Sequence, residues 1–114
     1  MEGCLFCKIA VGKIPSEKVY EDDFVLGFND INPLAKVHVL FISKKHTENI
    51  NDMVDRNPDD FAHLFNAIRS YTQREGLVKD GFRIVSNVGT YGGQTVFHTH
   101  FHLLAGEQLR GFGA

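Results

Sequence analysis

No stretch of this chain approaches the length and apolarity of a transmembrane helix, and Met1 to Lys8 lack the basic region and long apolar run of a secretory signal. Positive charge is not in excess either. Twelve Lys and Arg against fourteen Asp and Glu leave a formal net charge of -2, which argues against a generally basic surface for a nucleic-acid polymer. Internal repeats, low-complexity tracts and charge blocks are missing, so residues 1–114 are expected to form one domain. Cysteine is scarce. Cys4 and Cys7 stand three residues apart in an otherwise thiol-free chain, and in a reducing compartment that spacing favours a metal or redox pair over a structural disulfide. A cytoplasmic protein without membrane contact is the expectation that follows.

What the chain does have is histidine, concentrated in one place. His98-Thr99-His100-Phe101-His102 carries three of the six histidines at alternate positions. On an extended strand the three imidazoles stand in a row on one face, roughly 7 Å from neighbour to neighbour, with Thr99, Phe101 and Leu103 turned to a core.

The surrounding pattern is mixed. Leu5, Phe6, Ile9 and Ala10 recur at helical spacing over residues 5–11, and Gly12 ends that short helix. Lys18–Glu21 and Phe24–Phe28 read as strands joined by the acidic turn Glu21-Asp22-Asp23, and Val37–Ser43 is apolar and β-branched enough for a central strand after the turn at Asn32-Pro33. Asn57-Pro58-Asp59-Asp60 starts a helix: Asn caps, Pro suits the first helical position, and the acids face the positive end of the dipole. Phe61, Leu64, Phe65, Ile68 and Tyr71 form its stripe, and Gly76 stops it. Segments 82–88 and 97–104 then form a hairpin around the loop Gly89–Thr95. The expectation is an α+β fold, an antiparallel sheet of about five strands with one principal helix and a short N-terminal helix.

A row of histidines has three physical readings. One is a plain polar face, which Lys, Glu and Thr usually serve. Another is a three-histidine metal centre with an activated water; ligand bonds of about 2.1 Å keep a straight strand from supplying all three, so an outside ligand such as His38 is needed. The third makes the central imidazole a nucleophile toward phosphorus, with its neighbours donating to the phosphoryl oxygens. The loop Gly92-Gly93-Gln94-Thr95 suits that reading, since its glycines permit close backbone approach and it offers amide donors and a hydroxyl.

His98-Thr-His-Phe-His-Leu-Leu104 resembles the signature of the histidine triad superfamily. The likeness runs through Cys4-Leu-Phe-Cys-Lys-Ile9, Ile14-Pro15, Tyr20-Glu-Asp22, Phe28-Asn-Asp-Ile31-Asn-Pro33, His38, Lys44-Lys-His46 and Gly92-Gly-Gln94, nearest the branch of purine nucleoside phosphoramidases. Two departures stand out: Thr99 replaces an aliphatic residue, and Thr95 stands where the branch often has serine but keeps the hydroxyl.

The resemblance implies hydrolysis of a purine nucleoside 5'-phosphoramidate or related nucleotidyl ester through a covalent nucleotidyl-histidine, with no metal required for catalysis. His100 becomes the nucleophile, His102 and His38 contact the phosphoryl oxygens, Thr95 and Gln94 lie near the leaving group, and Asn87 holds the phosphate or ribose side. Asp30 accepts from the ribose hydroxyls, although a lone loop acid also caps turns. Phe6, Ile9, Phe28 and Ile31, with Leu5 and Leu40, sandwich the base, where core packing is an equal account of the same residues. His63 reads as a surface histidine.

Cys4 and Cys7 supply half of a tetrahedral zinc site, and His46 and His98 complete it as in zinc-bearing bacterial relatives; the alternative is a pair of ordinary thiols. His98 is thus either a catalytic member or a ligand. The resemblance alone implies a homodimer. The tail Leu109–Ala114 is expected to bear on leaving-group selectivity. Alternatives are a dinucleoside polyphosphate hydrolase of the same superfamily, or a nucleotide-binding scaffold with little catalysis. The superfamily's transferase branch carries glutamine where this chain has His102.

Overall fold

The computed structural model describes residues 3–111, so the end of the tail, 112–114, lies outside the described residues. Five strands form one sheet in the order β1-β2-β3-β5-β4: β1 Lys18–Glu21, β2 Val25–Asn29, β3 Val37–Ser43, β4 Arg83–Val85 and β5 His100–Ala105. Every neighbouring pair is antiparallel. Three helices accompany the sheet, α1 Leu5–Ala10, α2 Ile50–Arg56 and α3 Asp59–Arg74.

Strand alternation sends side chains to two different cores. On one face Val25, Val39, Phe41, Phe101 and Leu103 meet Leu64, Ala67, Ile68 and Tyr71 of α3 and Met53 of α2. On the other Leu26, Phe28, Leu40 and Ile42 meet Phe6 and Ile9 of α1, together with Cys4. His100 pairs with Ile42 and His102 with Leu40 across the β3–β5 ladder, so both imidazoles share the α1 face. A one-residue slip would send them into the α3 core.

Four local expectations need correction. α2 has no counterpart among the expected elements: it has a single buried apolar residue, Met53, too little for a stripe. Its signal was a reciprocal cap, with the Asn49 side chain accepting from Asp52 N–H (3.0 Å) and Asp52 Oδ2 accepting from Glu48 N–H (2.8 Å). Asn57 closes α2 rather than capping α3, whose first residue is Asp59. Phe65, placed on the buried stripe of α3, is 45% exposed, and Ala67 takes its place in the core.

The fourth correction matters most for function. β4 covers only Arg83–Val85, and β5 begins at His100, not Phe97. Thr99 N–H donates to Thr47 O (2.8 Å), and the two threonine hydroxyls lie 2.6 Å apart. These bonds draw the chain ahead of β5 toward the segment before α2. His98 therefore leaves the row.

Candidate active site and metal centre

His100 and His102 point into a cavity of about 690 Å³ bounded by α1, the β2–β3 loop and the 92–96 loop. Phe6, Ile9, Phe28, Ile31, Asp30, Asn87, Thr95 and His38, all singled out in the sequence, line it, as do Leu5 and Leu40. Ile31 sits at the rim, 92% exposed. A separate cavity of about 610 Å³ lies at the far end of β4 and β5, by Gly81 and Glu107; of the described residues given a functional role in the sequence only Leu109 of the tail lines it, and Leu109 is not in the wall of the histidine cavity.

Gln94 behaves differently from the others. It is buried, with its Oε1 accepting from Gly89 N–H (2.8 Å) and its Nε2 donating to Glu48 O (2.7 Å) and Val96 O (3.1 Å). The side chain is spent on shaping the loop and is not part of the cavity wall. A Cβ on Gly92 would overlap the Val88 carbonyl, and Gly93 has φ +83°, so both glycines are required by the backbone path. Asn87 Nδ2 donates to Gly92 O (2.7 Å), which ties the loop to the segment after β4.

Backbone groups assign the imidazole protons. A carbonyl can only accept, so the 2.6 Å contact between His100 Nδ1 and His98 O places the proton on Nδ1 and leaves the Nε2 lone pair free. Burial holds His100 below its ordinary value, opposed by that backbone bond, so the ring is neutral near pH 7. An amide can only donate: Leu34 N–H gives its proton to His38 Nδ1 (3.1 Å), so neutral His38 carries its own on Nε2. That Nε2–H donates to His102 Nδ1 (2.9 Å) and lies 3.5 Å from Asp30 Oδ2. His102 is left with its proton on Nε2. Burial, helped by neighbouring His100 and His38, pushes His102 down to about 4, and burial likewise lowers His38. The pair thus offers a lone pair on His100 and an N–H on His102, with ring centroids 5.1 Å apart.

Asp30 also does what a turn acid does: its Oδ1 accepts from Asn32 N–H (2.8 Å). Its presence in the cavity wall beside His38 keeps one carboxylate edge within reach of a ligand. His63 is half-buried, stacked flat on Phe24 with centroids 3.7 Å apart, away from the cavity.

His98 belongs to a second cluster. Its Nε2–H donates to Ser43 O (2.6 Å), which turns the Nδ1 lone pair toward Cys4 Sγ (3.3 Å), Cys7 Sγ (3.4 Å) and His46 Nδ1 (3.2 Å). Cys7 Sγ is also 3.3 Å from His46 Nδ1. A tetrahedral ion with Zn–S near 2.3 Å and Zn–N near 2.05 Å has ligand–ligand edges of about 3.3–3.8 Å, so this donor set fits one. Burial and the adjacent Cys4 thiol push Cys7 up, whereas a bound cation favours the thiolate. Burial lowers His98 to about 4, which keeps the ring available as a ligand.

The sequence could not reveal the backbone partners Leu34, Ser43 and the His98 carbonyl, because every residue owns such groups. Ile14–Glu17 also line the cavity, after the chain leaves α1 through Gly12 at φ +80°, and nothing in their residue types signals that role.

Comparison with known proteins bears on the family and the fold. Residues 11–109 match the model of the HIT domain. The purine nucleoside phosphoramidase of Escherichia coli K12 is 36% identical over 108 residues, 95% of this chain and 91% of that protein. A histidine triad protein from Clostridium difficile superposes with a TM-score of 0.94 at 46% identity, covering 98% of this chain and 97% of the other. A HIT family hydrolase from Clostridium thermocellum gives 0.92 at 38% identity, with coverage of 98% and 97%. The chain belongs to the HIT domain family.

Proposed function

We propose that the protein is a hydrolase that cleaves purine nucleoside 5'-phosphoramidates, or related nucleotidyl esters, to the nucleoside monophosphate. The observation that carries this reading is the His98 carbonyl on His100 Nδ1, which leaves a neutral imidazole with its Nε2 lone pair free in a cavity walled by apolar residues. In the first step Nε2 bonds to the α-phosphorus and the phosphorus–nitrogen bond to the leaving amine breaks. The departing nitrogen takes up a proton from solvent, which the water consumed in the second step gives back, and the Thr95 hydroxyl lines the same cavity. The His102 Nε2–H donates to a non-bridging oxygen as charge shifts onto it. Water then attacks phosphorus, the phosphorus–Nε2 bond breaks, and His100 returns neutral.

Phe6, Ile9 and Phe28 hold the base in this reading, and the Asp30 carboxylate accepts from the ribose hydroxyls. The Escherichia coli relative's name supports the substrate class. Zinc in the Cys4, Cys7, His46 and His98 cluster, in this reading, touches neither the substrate nor the reacting atoms. A homodimer is included. The β1 edge carries a Lys18–Glu21 ion pair of the kind that blunts strand pairing, while the β4 edge has Phe82 and Val88 exposed beside it. Sedimentation at twice 12.8 kDa checks that. Reduced thiols suit the cytoplasm.

The test is trapping. Adenosine 5'-phosphoramidate mixed with enzyme and quenched under denaturing alkali should yield a peptide bearing one adenylyl group on His100. Turnover without any adduct on that residue rejects the mechanism.

A further inference from the structure

We propose that Cys4, Cys7 and His46 are positioning residues for the nucleophile and for the base wall, acting on both through the ion they share with His98. This rests on the reading of His100 as nucleophile and goes beyond it by assigning the metal cluster a part in turnover and in nucleotide affinity.

His98 serves two neighbours at once. Its ring faces the cluster, with Nδ1 within 3.4 Å of both sulfurs and of His46 Nδ1, while its backbone carbonyl accepts the His100 Nδ1 proton at 2.6 Å. Only Thr99 separates the two residues, and the ladder of β5 begins after it. The carbonyl that fixes the nucleophile's tautomer therefore lies outside the sheet. What holds it is the ring bond to Ser43 O, the Thr99 contact to Thr47 and the cluster.

The second route runs through α1. Six residues are too few for a helix to persist unaided. Cys4 caps α1, with Cys7 N–H donating to its sulfur (3.3 Å), so two of the four donors are built into the helix's first turn. Phe6, between them, sets its ring edge-on to His100 (centroids 5.0 Å), to His98 (6.0 Å) and to Phe28 (5.7 Å). Ile9, one turn on, lines the same cavity. Releasing the sulfurs loosens a wall of the base site and one neighbour of the nucleophile together. A purely structural ion has neither consequence, since it only raises the melting temperature.

The experiment compares the protein as purified, the same protein stripped by a chelator, and the stripped protein given back zinc. Three quantities are read well below the melting temperature: the single-turnover rate with saturating adenosine 5'-phosphoramidate, the affinity for AMP by calorimetry, and the low-field imidazole N–H resonance that His100→Ala removes. Stripping should slow the single turnover by about 10-fold or more, in the range found when groups supporting a site are lost. It should also weaken AMP binding and abolish the resonance, and zinc should restore all three. Should stripping unfold the chain, His46→Asn, which keeps three donors, supplies the same readouts. A lower melting temperature with rate, affinity and resonance unchanged overturns the proposal, and so does protein purified without metal whose values zinc does not alter. If His100→Ala instead keeps normal turnover, the nucleophile reading fails, and the dependence of AMP affinity on metal is still decided separately.

Discussion

Two clusters hang from one short segment of chain, and by distance alone they look alike. Cys4, Cys7, His46 and His98 bring four donor atoms within 4.8 Å of one another, and Asp30, His38 and His102 bring three within the same limit. Their backbone partners make them opposites. The Ser43 carbonyl pulls the His98 proton outward and leaves a lone pair facing the sulfurs, which is what a cation needs. The Leu34 amide fills the His38 Nδ1 lone pair and forces a proton onto Nε2, where it bridges to His102. To free His38 Nε2 for a metal, the proton would have to move to Nδ1 and face the Leu34 N–H. One cluster turns a histidine lone pair toward two sulfurs and a second imidazole; the other passes an N–H from ring to ring toward the cavity.

The difference can be broken most severely at His100, which stands between the clusters. His100→Ala should cut turnover of an adenosine phosphoramidate by at least about 10³-fold, because the covalent route disappears, while AMP binds with little change. Steady-state kinetics with calorimetry reads both, and near-normal turnover ends the nucleophile assignment. Crossed variants sharpen the contrast. Metal analysis should find about one zinc per chain in the wild type and in His38→Asn, and none in Cys4→Ser, as expected for a closed four-ligand site. Zinc retained by Cys4→Ser, or lost from His38→Asn, would erase the distinction between the clusters.

Much of this contrast was legible in the sequence, and what was not has a common cause. The alternation of His100, Phe101, His102 and Leu103 correctly placed imidazoles on one face and core on the other, since a strand's side-chain period is independent of its partners. The two-residue Cys-x-x-Cys spacing and the histidine at 46 were visible as half-sites. The pattern extends the strand over His98, whereas β5 starts at His100 and Thr99 is bonded to Thr47, a tertiary contact that the local pattern does not carry. Gln94 carries the same lesson: an amide beside a candidate phosphate loop looks like a ligand group until its partners, Gly89, Glu48 and Val96, are seen to use it up. α2 escaped because its evidence is a cap and one methionine.

A milder perturbation acts on the proton chain alone. In His38→Asn the residue at 38 no longer holds a ring between the Leu34 amide and His102 Nδ1, so the His102 tautomer is unassigned. The oxyanion donor is then present only part of the time. Turnover should fall about 10- to 100-fold with AMP affinity less affected, a size typical of groups that orient a catalytic side chain. Rate loss confined to KM would place His38 in binding and leave the chain without a catalytic role.

The smallest effect is the pH response of His102, and its sign follows from where the ring sits. His102 faces His100 and His38, whose positive charge would disfavour its own, and Asp30, which favours it. Burial dominates, and the ring titrates near 4 where an ordinary histidine does so at 6.5. In the unfolded chain the ring takes up its proton as pH drops through 6.5, while the native ring stays neutral until about 4. Between those values the unfolded state binds more protons, so this group's contribution to stability is lost as pH falls through that window and is constant above it. His38, also lowered by burial, adds in the same direction. Carbon-bound proton resonances of His102 should therefore stay put from pH 7 to pH 5 while an exposed histidine shifts. The urea midpoint should decline over the same interval, less steeply in a His102→Gln variant. A His102 resonance that titrates near 6.5 would show a ring charged at mildly acid pH, and the two clusters, alike in the burial that lowers His98 and His102 to about 4, would then differ in that respect as well as in their partners.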